Sequence, residues 1–225
     1  MTNMQQCYGT HINAKGLPVN PYPVGSPASS TYDLLFYDSL SLFRSATSGY
    51  APNQLASYPY SVVLAKPGQV SQLQQVAASR SVDPRIRLIA CHRLRKGGQY
   101  VIPKELLGVI VEVGLPGAPD VVAVYPDGAA VYINRMGGIS SQSIPTQETA
   151  SIISRLWAVG QGVVAQLGPS NEPRTMAPQT GMARISFLCS DGVYFGEGPS
   201  NEMFSQPLVA PAFALVSQLL RIIAQ

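Results

Sequence analysis

Charge is what this sequence has least of. Of 225 residues only 12% are Asp, Glu, Lys or Arg, about half the usual quarter, and the formal net charge of +3 is too small to imply nucleic acid as a partner. Histidine is nearly absent: His11 and His92 are the whole supply, so no HxH or HExxH spacing exists and a metal site would need ligands from distant parts of the chain. The three cysteines, Cys7, Cys91 and Cys189, form no CxxC pair and no disulfide framework. They suit a reducing compartment. No long apolar run occurs either, because the most hydrophobic stretch, Pro207 to Ile223, is interrupted by Pro211, Ser217, Gln218 and Arg221. A membrane span needs about 20 apolar residues, so a buried helix is expected there. The opening MTNMQQCYGTHINAKG lacks a basic run followed by an apolar one. Together these absences predict a soluble cytoplasmic chain without membrane, metal or cofactor.

What is present is hydrophobic residues at 46%, 20 Gly, 19 Pro and 11 Tyr against one Trp. A chain of this length buries roughly 70% of its unfolded surface and needs no staples. A surface so poor in charge must be rich in small polar residues or be partly covered by a partner. Charge is also unevenly placed. Between Ser39 and Lys104 the only acid is Asp83, while Arg80, Arg85, Arg87, Arg93, Arg95 and Lys96 fall within seventeen residues.

Three regions follow from composition. Residues 1–30, punctuated by Pro18, Pro21, Pro23 and Pro27, read as a proline-rich arm without regular structure. In residues 31–105, the YDLLFYDSLSLF stretch is ambiguous between strand and helix, Ser45 to Tyr60 reads as loop, and YSVVLA (Tyr60 to Ala65) reads as a strand. Two short helices follow at Gly68–Ala78 and Val82–Leu94, the second with Asp83 as N-cap, Pro84 at its first position and Gly97 after its end. Its basic last turn then either favours the helix dipole and solvent or forms a binding patch.

Residues 106–225 read as an α+β unit of antiparallel sheet with amphipathic helices. LLGVIVEV, VVAVY and AAVYIN are strands, the last two joined by Pro126-Asp127-Gly128. Thr146 caps a helix whose stripe is Ile152, Leu156, Val159, Val163 and Leu167, with Gly168-Pro169 as its stop. ARISFLC and VYFGE flank a second Asp-Gly turn before a final helix. That recurrence is compatible with a distant duplication of a hairpin–helix unit, and the three regions are expected to form one compact domain.

No motif declares chemistry: GxSxG, SxxK, Walker A and GxGxxG are all missing. Cys91 and His92 are helical neighbours that point about 100° apart, so they cannot act as nucleophile and base together. Glu112 is expected on the outward face of its strand. Glu197 and Glu202 flank a short loop where they could converge.

The segments LLGVIVEVGLPGAPDVVAVYPDGAAVYIN (Leu106–Asn134) and ISFLCSDGVYFGEGP (Ile185–Pro199), with YDLLF at Tyr32–Phe36, resemble a group of uncharacterised bacterial proteins that pair two such stretches across an amphipathic helix. The chain departs from them in its proline-rich arm and at Met136–Ser143, where they have a simpler strand. In overall character it is similar to cytosolic immunity proteins of type VI secretion DNase effectors. That resemblance implies a non-enzymatic protein that forms a tight complex with a cognate toxin, and tyrosine is enriched at such interfaces. Candidate partner-contacting residues are Arg85, Arg87, Arg93, Arg95, Tyr125, Tyr132, Tyr194, Glu197 and Glu202. The alternatives are an enzyme with a dispersed site around Glu197, Glu202 and the first hairpin, or a nucleic-acid or partner adaptor using Arg85, Arg87, Arg93 and Arg95.

Overall fold

A computed structural model describes residues 20–66, 68–170 and 174–224. Helices lead and the sheet follows: α1 (Pro27–Leu34), α2 (Leu40–Thr47), α3 (Pro52–Ala56), α4 (Tyr60–Leu64), α5 (Val70–Ala78) and α6 (Pro84–Lys96), then β1 (Leu106–Val113), β2 (Asp120–Val124), β3 (Ala130–Ile133), β4 (Ile139–Gln142), α7 (Gln147–Gln166), β5 (Met182–Cys189), β6 (Gly192–Pro199), α8 (Ser200–Met203) and α9 (Ala210–Ile223). The strands form one antiparallel sheet in the order β4-β3-β2-β1-β5-β6, and the fold is α+β. Each hairpin, β2–β3 and β5–β6, lies to one side of β1.

Both sheet faces are covered, which explains why β1 reads as a nearly unbroken apolar run. On one face α7 and α9 press Leu156, Val163, Phe213, Val216 and Leu219 onto Val109, Val111, Ile185 and Phe187. On the other, Tyr22, Tyr32, Leu35 and Phe36 from α1 and its flanks join Leu88 and Cys91 of α6 over Ile110, Val121, Ala123 and Tyr125. A third cluster, Phe43, Val63, Leu73, Val76, Ile89 and Leu94, ties α2, α4, α5 and α6 together.

The local capping and stripe signals of α6 and α7 hold. Thr146 Oγ1 accepts from Thr149 N–H while Thr149 Oγ1 accepts from Thr146 N–H, a reciprocal cap on α7. Asp83 Oδ1 accepts from Arg85 N–H at 2.8 Å and caps α6. Along the α7 stripe Ile152, Leu156 and Val163 are buried, whereas Val159 and Leu167 are half-buried.

Four expectations are corrected. Of the arm expected to lack regular structure, residues 1–19 lie outside the described residues, but Pro27 opens α1, with Ser26 as its N-cap. Ser45 to Tyr60 is not simply loop, because it holds the end of α2 and all of α3. YSVVLA is helical rather than extended: α4 buries Val63 completely, and two distant arginines cap its final carbonyls. Arg93 Nη1 donates to Val62 O at 3.2 Å and Val63 O at 2.8 Å, its Nη2 to Ala65 O at 3.0 Å, and Arg44 Nη2 to Leu64 O at 2.9 Å. Tertiary contacts thus override the strand propensity of the β-branched pair. A side chain at Gly68 would collide with that guanidinium, since its Cβ would lie 2.3 Å from Arg93 Nη2. β4, within Met136 to Ser143, is a strand the reading did not place. Finally, Glu112 is fully buried rather than outward-facing.

Candidate functional site

The arginines nominated by the sequence are engaged within the fold. Arg85 reaches Asp83 at 2.7 Å and Asp127 at 3.0 Å and stacks 5.3 Å from the Tyr125 ring. Arg87, only 5% exposed, donates to Ala77 O and pairs with Glu105 at 2.6 Å. Arg93 caps α4, and Arg95 donates to Ser190 O. The patch is therefore largely a set of internal fasteners. Among the aromatics, Tyr125 and Tyr194 are buried, their hydroxyls donating to Leu35 O at 2.7 Å and Asp191 Oδ2 at 2.8 Å, and Tyr132 is half-buried with its hydroxyl 3.2 Å from Asp120 Oδ2. For Arg87, Tyr125 and Tyr194 the expected place in a contact surface is corrected: they are inside because their strand and helix positions face the core.

Glu197 and Glu202 are placed in different surroundings. Glu197 accepts from Arg184 Nε at 2.7 Å, while Glu202 sits exposed on α8. Arg184 belongs to a row of charge across three strands, because the register pairs Glu112 with Arg184 and Arg184 with Glu197. Arg184 Nη1 lies 3.4 Å from Glu112 Oε2, its Nη2 is 2.6 Å from Glu197 Oε2, and Glu112 Oε1 accepts from Tyr32 at 2.7 Å. Burial works against the Arg184 charge, but Glu112 and Glu197 outweigh it and raise its pKa. Burial, reinforced by Glu112, holds the Tyr32 hydroxyl far above its usual range. Beside this row, the Arg174 guanidinium lies 4.3 Å over the Phe36 ring, with Asp33 and Asp38 carboxylates at 3.9 and 3.7 Å. The sequence signal for the row was one acid and one base, each alone in an apolar strand. Its geometry fastens α1 to the sheet; every carboxylate oxygen of Glu112 already faces a donor or cation.

Among the described residues no group of three His, Cys, Asp or Glu side chains is arranged to hold a metal, and no helix is long and apolar enough to cross a membrane. The thiols of Cys91 and Cys189 are free and buried, and burial pushes them up to about 11 and about 12. His92 is lowered, first by burial and then by Arg95. Among the concave features of the described residues are open grooves between α7 and α9, of about 380 Å³ around Val159 and Ala214 and about 760 Å³ around Gln147 and Ile222, meeting at Arg155 and Gln218.

Tyrosine does reach the surface elsewhere. A chain of ring contacts climbs from buried Tyr125 through Tyr37 at 6.0 Å, Phe43 at 6.2 Å and Tyr60 at 6.3 Å to Tyr50 at 5.7 Å. Tyr50 is 41% exposed and Tyr58, just before α4, is 55% exposed. These residues lie in the stretch that reads as loop, where nothing in the spacing marked them. No family model, curated protein or solved structure matches the chain.

Proposed function

We propose that this chain is a non-enzymatic protein-binding module and, in the form that its sequence resemblance implies, the cytosolic immunity partner of a secreted antibacterial nuclease. The observation that carries the reading is the Tyr50–Tyr60–Phe43 stack, with exposed Tyr58 two residues before Tyr60. It presents exposed aromatic side chains on a rigid base, and Tyr is a preferred interface anchor because it loses little conformational entropy for the area it covers. The α2–α4 segment and its flank carry Arg44 and Lys66 and no acid, and the acid that acts on Tyr60, Asp83, is paired with Arg85. The face therefore complements an acidic or apolar partner surface and not a phosphate-binding groove, so the inhibition works by blocking or distorting the toxin away from its DNA contacts.

The test is co-expression with the product of the adjacent gene. The reading expects a complex that survives purification, rescue of the cells, and loss of both when Tyr50 and Tyr58 are changed together to Ala, by roughly thirtyfold or more in affinity if they are anchors. A stable variant with unaltered binding moves the contact elsewhere and overturns the assignment of this face. Failure of the unaltered chain to bind or protect overturns the function.

A further inference from the structure

The two edges of the sheet are finished differently. At β6 the chain returns alongside, and Ser170 N–H donates to Val193 O at 2.8 Å. At β4 the outer side receives no backbone hydrogen bond from any described residue. The pairing phase says which groups are left over. Asn134 N–H donates to Gly138 O at 2.9 Å, so these two form a bonded pair, and alternation makes Tyr132–Ser140 and Ala130–Gln142 the next bonded pairs. The N–H and C=O groups of Ile139 and Ser141 therefore point away from β3.

The strand is held ready by its turn. Asn134 Oδ1 accepts from both Met136 N–H and Gly138 N–H at 2.9 Å, and a Cβ at Gly138 would lie 2.6 Å from Asn134 Nδ2. Around it Met136 is 85% exposed, Ile139 39% and Ile144 82%. Residues 136–147 contain no charge, so the Lys or Glu that commonly guards an edge is missing here.

We propose that β4 is a homodimer edge, pairing antiparallel with β4 of a second copy about a two-fold axis at Ser141. Three features fit a second copy, and the last, a charge complement carried by this chain itself, selects it over a foreign strand. Self-pairing needs opposed residues on the same face, and the axis at Ser141 sets Ser140 against Gln142 of the other copy with that parity. Outward-facing backbone groups at the axis, which Ser141 has, make the central pair a hydrogen-bonded one. Self-pairing also brings Arg135 of each copy to the end where Glu148 of the other lies. Glu148 stays beside the end of β4 because Gln142 Nε2 donates to Thr149 Oγ1 at 3.0 Å in the first turn of α7. Both charges are exposed. Four residues of strand and three apolar side chains cover less than a standard interface, so the dimer forms reversibly with concentration.

Sedimentation velocity across a concentration series of the full chain tests this. The unaltered protein should shift from monomer to dimer. Ser141→Pro removes a donor that β3 does not use, and Ile139→Lys places charge at the joint; each should weaken association roughly tenfold or more while leaving the unfolding midpoint close to unaltered. Arg135→Glu should weaken it, and adding Glu148→Arg should restore it. A monomer at every concentration overturns the proposal, including the case in which a strand of another protein occupies this edge. So does a dimer indifferent to Ser141→Pro, Ile139→Lys and the charge reversal, which places the contact elsewhere. The result is independent of toxin binding, which is read with the Tyr50 and Tyr58 variant.

Discussion

Against α7 and α9 the sheet presents Val109, Val111, Ile185 and Phe187; against α1 and α6 it presents Ile110 and Tyr125 together with Glu112 and Arg184. One face is joined by apolar contact alone over most of its area, and the other has an ion row through it. The difference bears on how each face fails. Apolar contact weakens in proportion to the volume removed. A buried charge that loses its partner is left with its whole desolvation cost, so the second face fails in one step.

The largest effect separating the faces is expected from Arg184→Met. It leaves Glu112, fully buried, with only the Tyr32 hydroxyl, and should cost about 3–5 kcal/mol in urea unfolding. Glu112→Leu added to Arg184→Met removes the orphaned charge and should restore most of that loss, since an apolar pair of similar volume replaces an ion pair at little cost. Glu197 remains but is 23% exposed and can be solvated. If the double variant is as unstable as the single one, the row acts through shape rather than charge and the contrast between the faces disappears.

Leu156→Ala should come next. Its side chain is fully buried between α7 and the sheet, and the expected loss is about 3 kcal/mol, set by the cavity and the transfer of the missing methylenes. Here no second substitution at a polar site should rescue it. A smaller loss, near 1 kcal/mol, would mean that α7 settles into the gap and that this face is softer than its packing suggests.

The same contrast decides what could be read from the sequence. Where the determining contacts are local, the residues announced them: Thr146 with Thr149, Asp83 with Pro84, and Asp127-Gly128 and Asp191-Gly192 between alternating strands are signals within a few positions of one another. The fold class and all but one of the strands follow from these. Where the determining partner is distant, reading failed. Tyr60–Leu64 looks like a strand until Arg93, about thirty residues on, caps it as a helix. Glu112 looks exposed until Arg184, 72 residues later, is set opposite it. β4 was missed because ISSQ has no apolar alternation to declare it, which follows from its place at an edge. The candidate site suffered in the same way: Tyr125 and Tyr194 were chosen by residue type but sit on inner positions, whereas Tyr50 reaches the surface through ring contacts that no spacing reveals, and Tyr58 is exposed two residues before Tyr60.

The smallest effect at ordinary pH concerns the tyrosines of the α1–α6 face. Burial pushes Tyr37 up to about 12 from its usual value near 10, and Tyr32 and Tyr125 are raised in the same direction by burial. A phenol whose pKa is higher in the folded chain keeps its proton while the unfolded chain loses one, so the unfolded state binds fewer protons above pH 10 and stability falls with rising pH. The contribution is fully present below about 10 and is lost progressively as pH approaches about 12. Urea midpoints should be level near neutrality and decline once that range is entered, and Tyr37→Phe should decline less steeply because one linked proton has been removed. If the slopes coincide, Tyr37 ionises in the folded chain as freely as in the unfolded one. The ring chain from Tyr125 to Tyr50 would then be open to solvent at its middle, and the rigid base assigned to the exposed tyrosines would go with it.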